Sequence, residues 1–443
     1  MANNISSAKG GLQELKQRLL FVLIGILVYR IGSHIPVPGL DPKRLADLFN
    51  QQGGGILGLF NMFSGGALSR LTIFALGVMP YISMSIILQL LTAVIPALEK
   101  LSKEGEMGRR KITQYTRIGT VALCMIQGMG TTYLLRSFGE SFIYHWGIGF
   151  QLMTVLALTT GTIFIMWLGE QITEYGIGNG MSLIIFAGIV AGLPGQLTQT
   201  YRMFSINQIS LFALILFSVF SLLIIAFIVV LQQGARKIPV QYATRVVGRQ
   251  VFKGQSTQLP LKVDYSGVIA VIFASSILIF PSQIARYLES AVSPDGWFYG
   301  FFDFIVTNLS PGAYFYHVIY SFLIIFFCYF YTAIAFNPID LSENMKKYGG
   351  FIPGIRPGQP TAEFIDKTLT RITIWGALAV CLIAIIPEVI TRNLHIPIYF
   401  GGTSLLIIVG VALDTMKQIE SHLLMRHYDG FMKKGRLKGR SAF

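Results

Sequence analysis

Apolar residues in this chain fall in long runs rather than at the alternating or 3.6-residue spacings of soluble elements, and the runs are separated by charge or by Gly and Pro. A membrane-crossing helix needs about 20 apolar residues to span a hydrocarbon core of about 30 Å. Ten runs are candidate spans, several of them short or tilted: Leu19 to Ile35, Leu71 to Pro96, Ile118 to Leu135, Gln151 to Leu168, Met181 to Leu193, Ile209 to Leu231, Val268 to Ala285, Ala313 to Phe336, Thr368 to Ile386 and Ile398 to Asp414. One stretch breaks the pattern. Before the second span, Ile56 to Ser69 is a short apolar piece interrupted by Asn61, Ser64, Gly65 and Gly66, too short to cross. A short hydrophobic helix feeding a full span predicts a broken or re-entrant element, which membranes tolerate only where protein or water surrounds it.

Composition agrees with the pattern. Of 443 residues 53% are hydrophobic and 13% charged, half the charge of a soluble domain at about 25%. The reading is an all-α polytopic membrane protein. The first run follows a basic segment, Met1 to Arg18, but lacks a small-x-small cleavage pattern and contains Arg30, so it reads as a retained span rather than a signal peptide.

The net charge of +14 matters by its location. Bases crowd the connection after the second span (Lys100, Lys103, Arg109, Arg110, Lys111, Arg117), the one after the sixth (Arg236, Lys237, Arg245, Arg249, Lys253, Lys262) and the tail beyond Asp414. With ten spans these segments share one side, which the positive-inside rule makes the cytoplasm, with both termini there. One cytoplasmic connection departs from the trend: Gly169 to Gly180 carries Glu170 and Glu174 and no base. Residues 232–263 and 337–367 are the large polar connections. The first holds a β-favouring run, VVGRQVF, and the second a turn at GGFIPGIRPG. They read either as solvated loops or as a dock for a large acidic or RNA-bearing partner.

Catalytic chemistry has no visible carrier. There is no GxxxxGK[ST] phosphate loop, the six histidines are scattered without HExxH spacing, and Cys124, Cys328 and Cys381 each sit alone in an apolar run. No cofactor or metal is expected. Ionisable residues within the spans are nearly absent, with Arg30 and Asp414 toward span ends, which argues against an ion-coupled carrier. Val78 and Ile82, like Met181 and Ile185, are four apart and share a helix face; they read as core or lipid-facing residues, with a pore lining as the alternative.

Several segments resemble the SecY family of bacterial protein-translocation channels: FNMFSGGALSR, MPYISMSIILQLL, GRRKITQYTR, MWLGEQITEYGIGNG, FAGIVAGLP, QSTQLPLKV, FIPGIRPG and YFGGTSLLI, in order from Phe60 to Ile407. The resemblance implies ten transmembrane helices in two inverted pseudo-symmetric halves of five. These are residues 19–193 and 209–414, joined by an external hinge loop at 194–208 and flanked by a cytoplasmic segment 1–18 and a basic tail 415–443. It implies a plug at about 56–69, including Ile56, Phe60, Asn61, Met62, Phe63, Ser64, Gly65 and Gly66, and a pore ring of Val78, Ile82, Met181, Ile185, Ile272 and Ile407. Val78 and Met181 depart from the isoleucine frequent at those positions. A lateral gate is implied at Gln89, Gln127, Ser276 and Phe280, where ordinary helix packing is the alternative for the glutamines, and partner binding at Arg356, with Arg245, Arg249 and Lys262 beside it. The implied partners are SecE-like and SecG-like subunits, a SecA-like motor ATPase, the ribosome, signal-bearing unfolded polypeptides and the phospholipid bilayer of the bacterial inner membrane. The implied function is a passive protein-conducting channel, not an enzyme; a secondary transporter of small solutes is the alternative.

Overall fold

The computed structural model describes residues 3–434 apart from 53–55, 138–142, 243–244, 248–249, 253–255, 292–296, 311 and 394–400. In chain order the helices are α1 (Asn3–Gly32), α2 (Pro42–Gln52), α3 (Ile56–Phe63), α4 (Met79–Val94), α5 (Pro96–Lys103), α6 (Glu106–Ser137), α7 (Ile148–Tyr175), α8 (Gly180–Ser205) and α9 (Leu211–Gln233). Strands β1 (Ala235–Tyr242), β2 (Arg245–Val247), β3 (Gln250–Phe252) and β4 (Ser256–Lys262) follow. Then come α10 (Val268–Ala291), α11 (Trp297–Asn308), α12 (Tyr314–Ala335), α13 (Pro338–Lys347), β5 (Gly350–Phe351), α14 (Gln359–Asn393) and α15 (Gly402–Lys434).

Among the described residues eight helices are long and apolar enough to cross a membrane, and a ninth span results if α4 and α5, bent by 101° at their junction, count together. The 30-residue α1, about 45 Å long at 1.5 Å per residue, has only the apolar stretch between Arg18 and Arg30. Ten spans are compatible with this set. α9 shows the membrane character most plainly, since Leu211, Phe212, Ile215, Leu216, Val219, Leu222, Leu223, Phe227 and Val230 are all exposed. Water would penalise such a surface, whereas lipid does not.

Several boundaries differ from the sequence expectation. α1 begins at Asn3 rather than at Leu19, and its polar turns carry an Arg18–Glu14 ion pair at 3.3 Å one turn apart. The second span becomes helical only at Met79. Gly77, at φ 58°, takes a conformation that breaks a helix, and Pro80 then starts one at its first turn, where its missing N–H costs nothing. Residues 194–205, expected as loop, complete α8 around an internal Pro194, which membrane helices tolerate better than soluble ones. The tail is helical as far as Lys434, because nothing after Asp414 interrupts α15.

The chain divides into two compact units: Met1–Leu197 with Ile279–Ser310 and Val411–Phe443, and Thr198–Leu278 with Pro311–Gly410. The end of α10, α11 and most of α15 group with the N-terminal part.

In the second unit the two polar connections are neither solvated loops nor wholly α. β1 pairs antiparallel with β4 from Ala235↔Lys262 to Gln241↔Ser256, and with β5 through Gln241↔Phe351 and Tyr242↔Gly350. The VVGRQVF run forms the β2–β3 hairpin. Along β1 the buried positions alternate, Ile238 and Val240 facing inward, and they join Leu261, Met345, Ile352 and Ile365 in a small core. Residues 337–367 contribute α13 to it, capped by Asn337, whose side chain accepts from Ile339 N at 3.0 Å. Charge density alone hid this module, because its apolar residues are few and split between two connections 100 residues apart.

Candidate functional site

The first unit holds the short helix and the segment leading from it into α4. α3 covers Ile56–Phe63, shorter than the expected 56–69. Its end follows from Gly65 and Gly66, at φ 67° and 83°, a region that a residue with a Cβ enters only with strain. The turn then ties itself: Gly66 N donates to Asn61 O at 2.8 Å, Ser69 N to Asn61 Oδ1 at 2.9 Å, Leu68 N to Ser64 Oγ at 3.2 Å and Ser69 Oγ to Gly66 O at 2.9 Å. The polar residues that interrupt the apolar run are thus the ones that close it. Phe60 and Phe63 are buried, Met62 and Asn61 partly so.

Three elements seat this turn. Tyr29 Oη donates to Ser64 O at 3.1 Å and Arg30 Nη1 to Gly65 O at 3.3 Å, both from α1. On α8, Gly188 lies so near that a Cβ there would stand 3.2 Å from Phe63 O and 3.3 Å from Gly65 N. Downstream the chain is pinned to the segment after α1: Val37 N donates to Leu71 O at 3.0 Å and Ile73 N to Ile35 O at 3.1 Å. Phe74 then stacks between Tyr29 (centroids 6.0 Å) and Phe164 (5.9 Å), its ring filling the notch at Gly32. The sequence reading missed Tyr29, Gly188 and Phe74. Arg30 was noticed only as a charge near a span end, and that oddity was the one available signal.

α8 is aimed by the turn before it. Asn179 Oδ1 accepts from Met181 N at 3.1 Å and Ser182 N at 3.2 Å, and Gly180 N donates to Thr173 Oγ1 at 2.8 Å. Gly180 abuts the Gly169 carbonyl, so the backbones of α7 and α8 approach closely there. Gly178 N also donates to Gln418 Oε1 of α15 at 2.8 Å. The acidic exception in the charge pattern is compensated across helices, Arg117 of α6 gripping Glu170 of α7 through Nε–Oε1 at 2.9 Å and Nη2–Oε2 at 2.7 Å.

A family model described as SecY matches residues 72–416. The chain belongs to the SecY family. It is 50% identical over 432 residues to protein translocase subunit SecY of Pseudomonas aeruginosa, covering 98% of this chain and 96% of that one. Against the Escherichia coli K12 subunit the identity is 50% over 438 residues, 98% of each. Its fold is similar to two solved structures, each over 93% of both chains. One is described as a protein-conducting channel (TM-score 0.64, 17% identity), the other as showing that the plug domain of SecY stabilises the closed state (TM-score 0.65, 18% identity). Family membership makes this chain a channel-forming protein translocase subunit.

The positions implied for a SecY-family channel lie as follows. Val78 is the N-cap of α4 and Ile82 lies one turn on, with Ile82 N donating to Val78 O at 3.1 Å; both are buried. On α8 Ile185 is buried and Met181 partly exposed over Gly169. These four belong to the first unit, while Ile272 on α10 and Ile407 on α15, both buried, belong to the second. Of the gate residues, Gln89 donates to Ser85 Oγ of its own helix at 3.4 Å, not across a seam. Gln127 Oε1 and Ser276 Oγ are buried without a hydrogen-bond partner. The side chain of Phe280 lies outside the described residues, as do Arg249 and the side chains of Ile56 and Arg245. Arg356 and Lys262 are exposed. Arg356 stands at the tip of the turn after β5, between Gly354 and Gly358 at φ 83° and 108°, and its carbonyl accepts from Thr361 Oγ1 at 2.8 Å.

Proposed function

We propose that this SecY-family chain is the passive conduit of a bacterial inner-membrane translocase, with both termini cytoplasmic. Unfolded polypeptides bearing signal sequences pass through it, and apolar segments leave it sideways into the lipid. The observation that carries the reading is a short helix of apolar composition, α3, whose following turn is held through its main chain by Tyr29 and Arg30 of α1 and against Gly188 of α8, upstream of Val78 and Ile82 at the start of α4. That suits a stopper: apolar side chains, Phe60 and Phe63 among them, exclude water, and the turn that follows is held through main-chain carbonyls.

Val78, Ile82, Met181, Ile185, Ile272 and Ile407 form the constriction. Apolar side chains coordinate neither water nor ions, so the closed ring resists leakage, and they yield around side chains of any chemistry, so the open ring does not select. Gln127 and Ser276 serve the lateral gate, because a buried amide oxygen and hydroxyl without partners are costly in a closed helix packing and gain partners when the packing changes. The chain performs no catalysis of its own. Energy comes from a SecA-like ATPase or from the translating ribosome docked on the basic module around Arg356 and Lys262, with SecE-like and SecG-like subunits completing the complex. One solved relative of the same fold, the yeast Ssh1 complex, is described as bound to the 80S ribosome (TM-score 0.56).

The test places a photocrosslinker at Ile185 in the assembled translocase and stalls a secretory chain in transit. Adducts between Ile185 and the stalled chain are expected. Their absence from a complex that still translocates removes Ile185 from the conduit and with it the ring assignment.

A further inference from the structure

We propose that Tyr29 and Arg30 of α1 are positioning residues that latch the plug shut, and that Gly188 of α8 is the seat against which they hold it. The inference rests on the reading of α3 as a plug. It explains why an arginine is retained within the first span, where a charge is costly and persists only with a partner.

The geometry is specific. A helix of eight residues leaves its final carbonyls without intrahelical partners. Just past α3 the chain turns at Gly65 and Gly66; Ser64 O accepts from Ala67 N at 3.4 Å within that turn, and the carbonyls of Ser64 and Gly65 both face α1. Consecutive residues of one neighbouring helix take them: the Tyr29 hydroxyl at 3.1 Å and the Arg30 guanidinium at 3.3 Å. The cation also faces the C-terminal, partially negative end of α3. Tyr29 is buried, held by stacking on Phe74, so its hydroxyl cannot swing to another acceptor. Beside the two donors Gly188 admits the plug backbone with no clearance, since a Cβ on Gly65 would stand 2.9 Å from Gly188 Cα, 3.2 Å from Tyr29 Oη and 3.4 Å from Arg30 Nη1. Both latch donors grip main-chain oxygens, so the latch reads the position of the plug backbone and not its side chains.

The latch also changes strength with hydration. In a closed, dry channel the guanidinium–carbonyl contact is strong, because little solvent competes for either group. Once water enters, the Arg30 charge is solvated and the contact loses most of its value. Opening therefore favours further opening, and the plug releases as a unit.

The test uses the full translocase complex reconstituted in lipid vesicles, with two readouts: resting ion conductance, and thiol labelling of Met62→Cys by a water-soluble reagent. Tyr29→Phe is expected to raise both by about fivefold and Arg30→Gln by about twentyfold, the population changes that follow from losing one neutral and one charge-assisted hydrogen bond. Arg30→Lys, which keeps a charged donor, should stay near the parent. Gly188→Ala should raise both readouts, because its Cβ would stand 3.2 Å from Phe63 O, 3.3 Å from Gly65 N and 3.3 Å from Tyr29 Oη and so push the plug backbone off its seat beside the latch. In a chain lacking Ile56–Ser69 conductance should be high already, and the latch substitutions should add nothing. Unchanged labelling in both Tyr29→Phe and Arg30→Gln overturns the latch while a leaking plug deletion keeps the plug reading. An equal rise in conductance without the plug also overturns the latch, because the residues then act elsewhere. A deletion that does not leak removes the plug reading, and labelling at Met62→Cys still decides whether Tyr29 and Arg30 hold that segment. If Arg30→Gln fails to insert, Tyr29→Phe and Gly188→Ala decide the matter.

Discussion

Phe74 should be the pillar of the segment between α3 and α4, and Phe74→Ala measures how firmly that segment is anchored. The ring is buried, stacked on Tyr29 at an interplanar angle of 6° and on Phe164 at 11°, and its edge occupies the space over Gly32. In a soluble core most of the loss would be the transfer of the ring to water. Here the unfolded reference remains in lipid, which is as apolar as the core, so that part is absent. What remains is the cavity: roughly 100 Å³ at about 24 cal/mol per Å³ gives about 2.4 kcal/mol. Two ring pairs at about 0.5–1.5 kcal/mol each raise the total to about 3–5 kcal/mol. Unfolding of the purified protein by SDS in mixed micelles reads this directly, with Phe74→Leu as the control that keeps volume and loses stacking, expected at about 1–2 kcal/mol. A loss below about 1 kcal/mol for Phe74→Ala would refute the reasoning, because it would mean either that the ring is not enclosed or that the segment collapses freely into the gap.

Arg356→Glu should sharply reduce export while leaving insertion and SDS resistance unchanged, since the side chain is exposed at a turn braced through main-chain contacts; normal export would remove Arg356 from partner coupling. The Arg117–Glu170 pair should show a coupling of about 0.5–1 kcal/mol in a double-mutant cycle, at the high end for partly exposed ions because the contact is bidentate, and the coupling should fall with added salt.

The membrane class and the short apolar piece were legible because each is written in consecutive residues, but the piece was expected to run on to Ser69 and the helix ends at Phe63, before Gly65 and Gly66. Apolar runs announce spans, and glycine pairs announce a chain that leaves the helical region. The sheet module built from the two polar connections was not legible. Its core draws Ile238, Val240 and Leu261 from one connection and Met345, Ile352 and Ile365 from another, so no single window contains a hydrophobic pattern worth a strand. The resemblance supplied the ring and gate positions; spacing alone offered only Val78 with Ile82 and Met181 with Ile185, pairs that any buried helix would also show. Gln89 illustrates the limit of that kind of inference, since it donates to Ser85, one turn back on its own helix.

Arg30 carries the more general lesson. As a symbol in the sequence it was an intramembrane charge of unstated purpose, and its polar partner was not an acid to be searched for along the chain but a backbone carbonyl 35 residues away. Main-chain acceptors exist at every residue and leave no compositional trace. In lipid, however, they are free only where a helix ends, so a membrane arginine without an acidic partner points to a nearby helix C-terminus. The glycine pair that ends α3 and the arginine that holds the Gly65 carbonyl in that turn are therefore two halves of one signal. Reading them together identifies the docked end of the plug from residues that neither hydropathy nor motif spacing singles out.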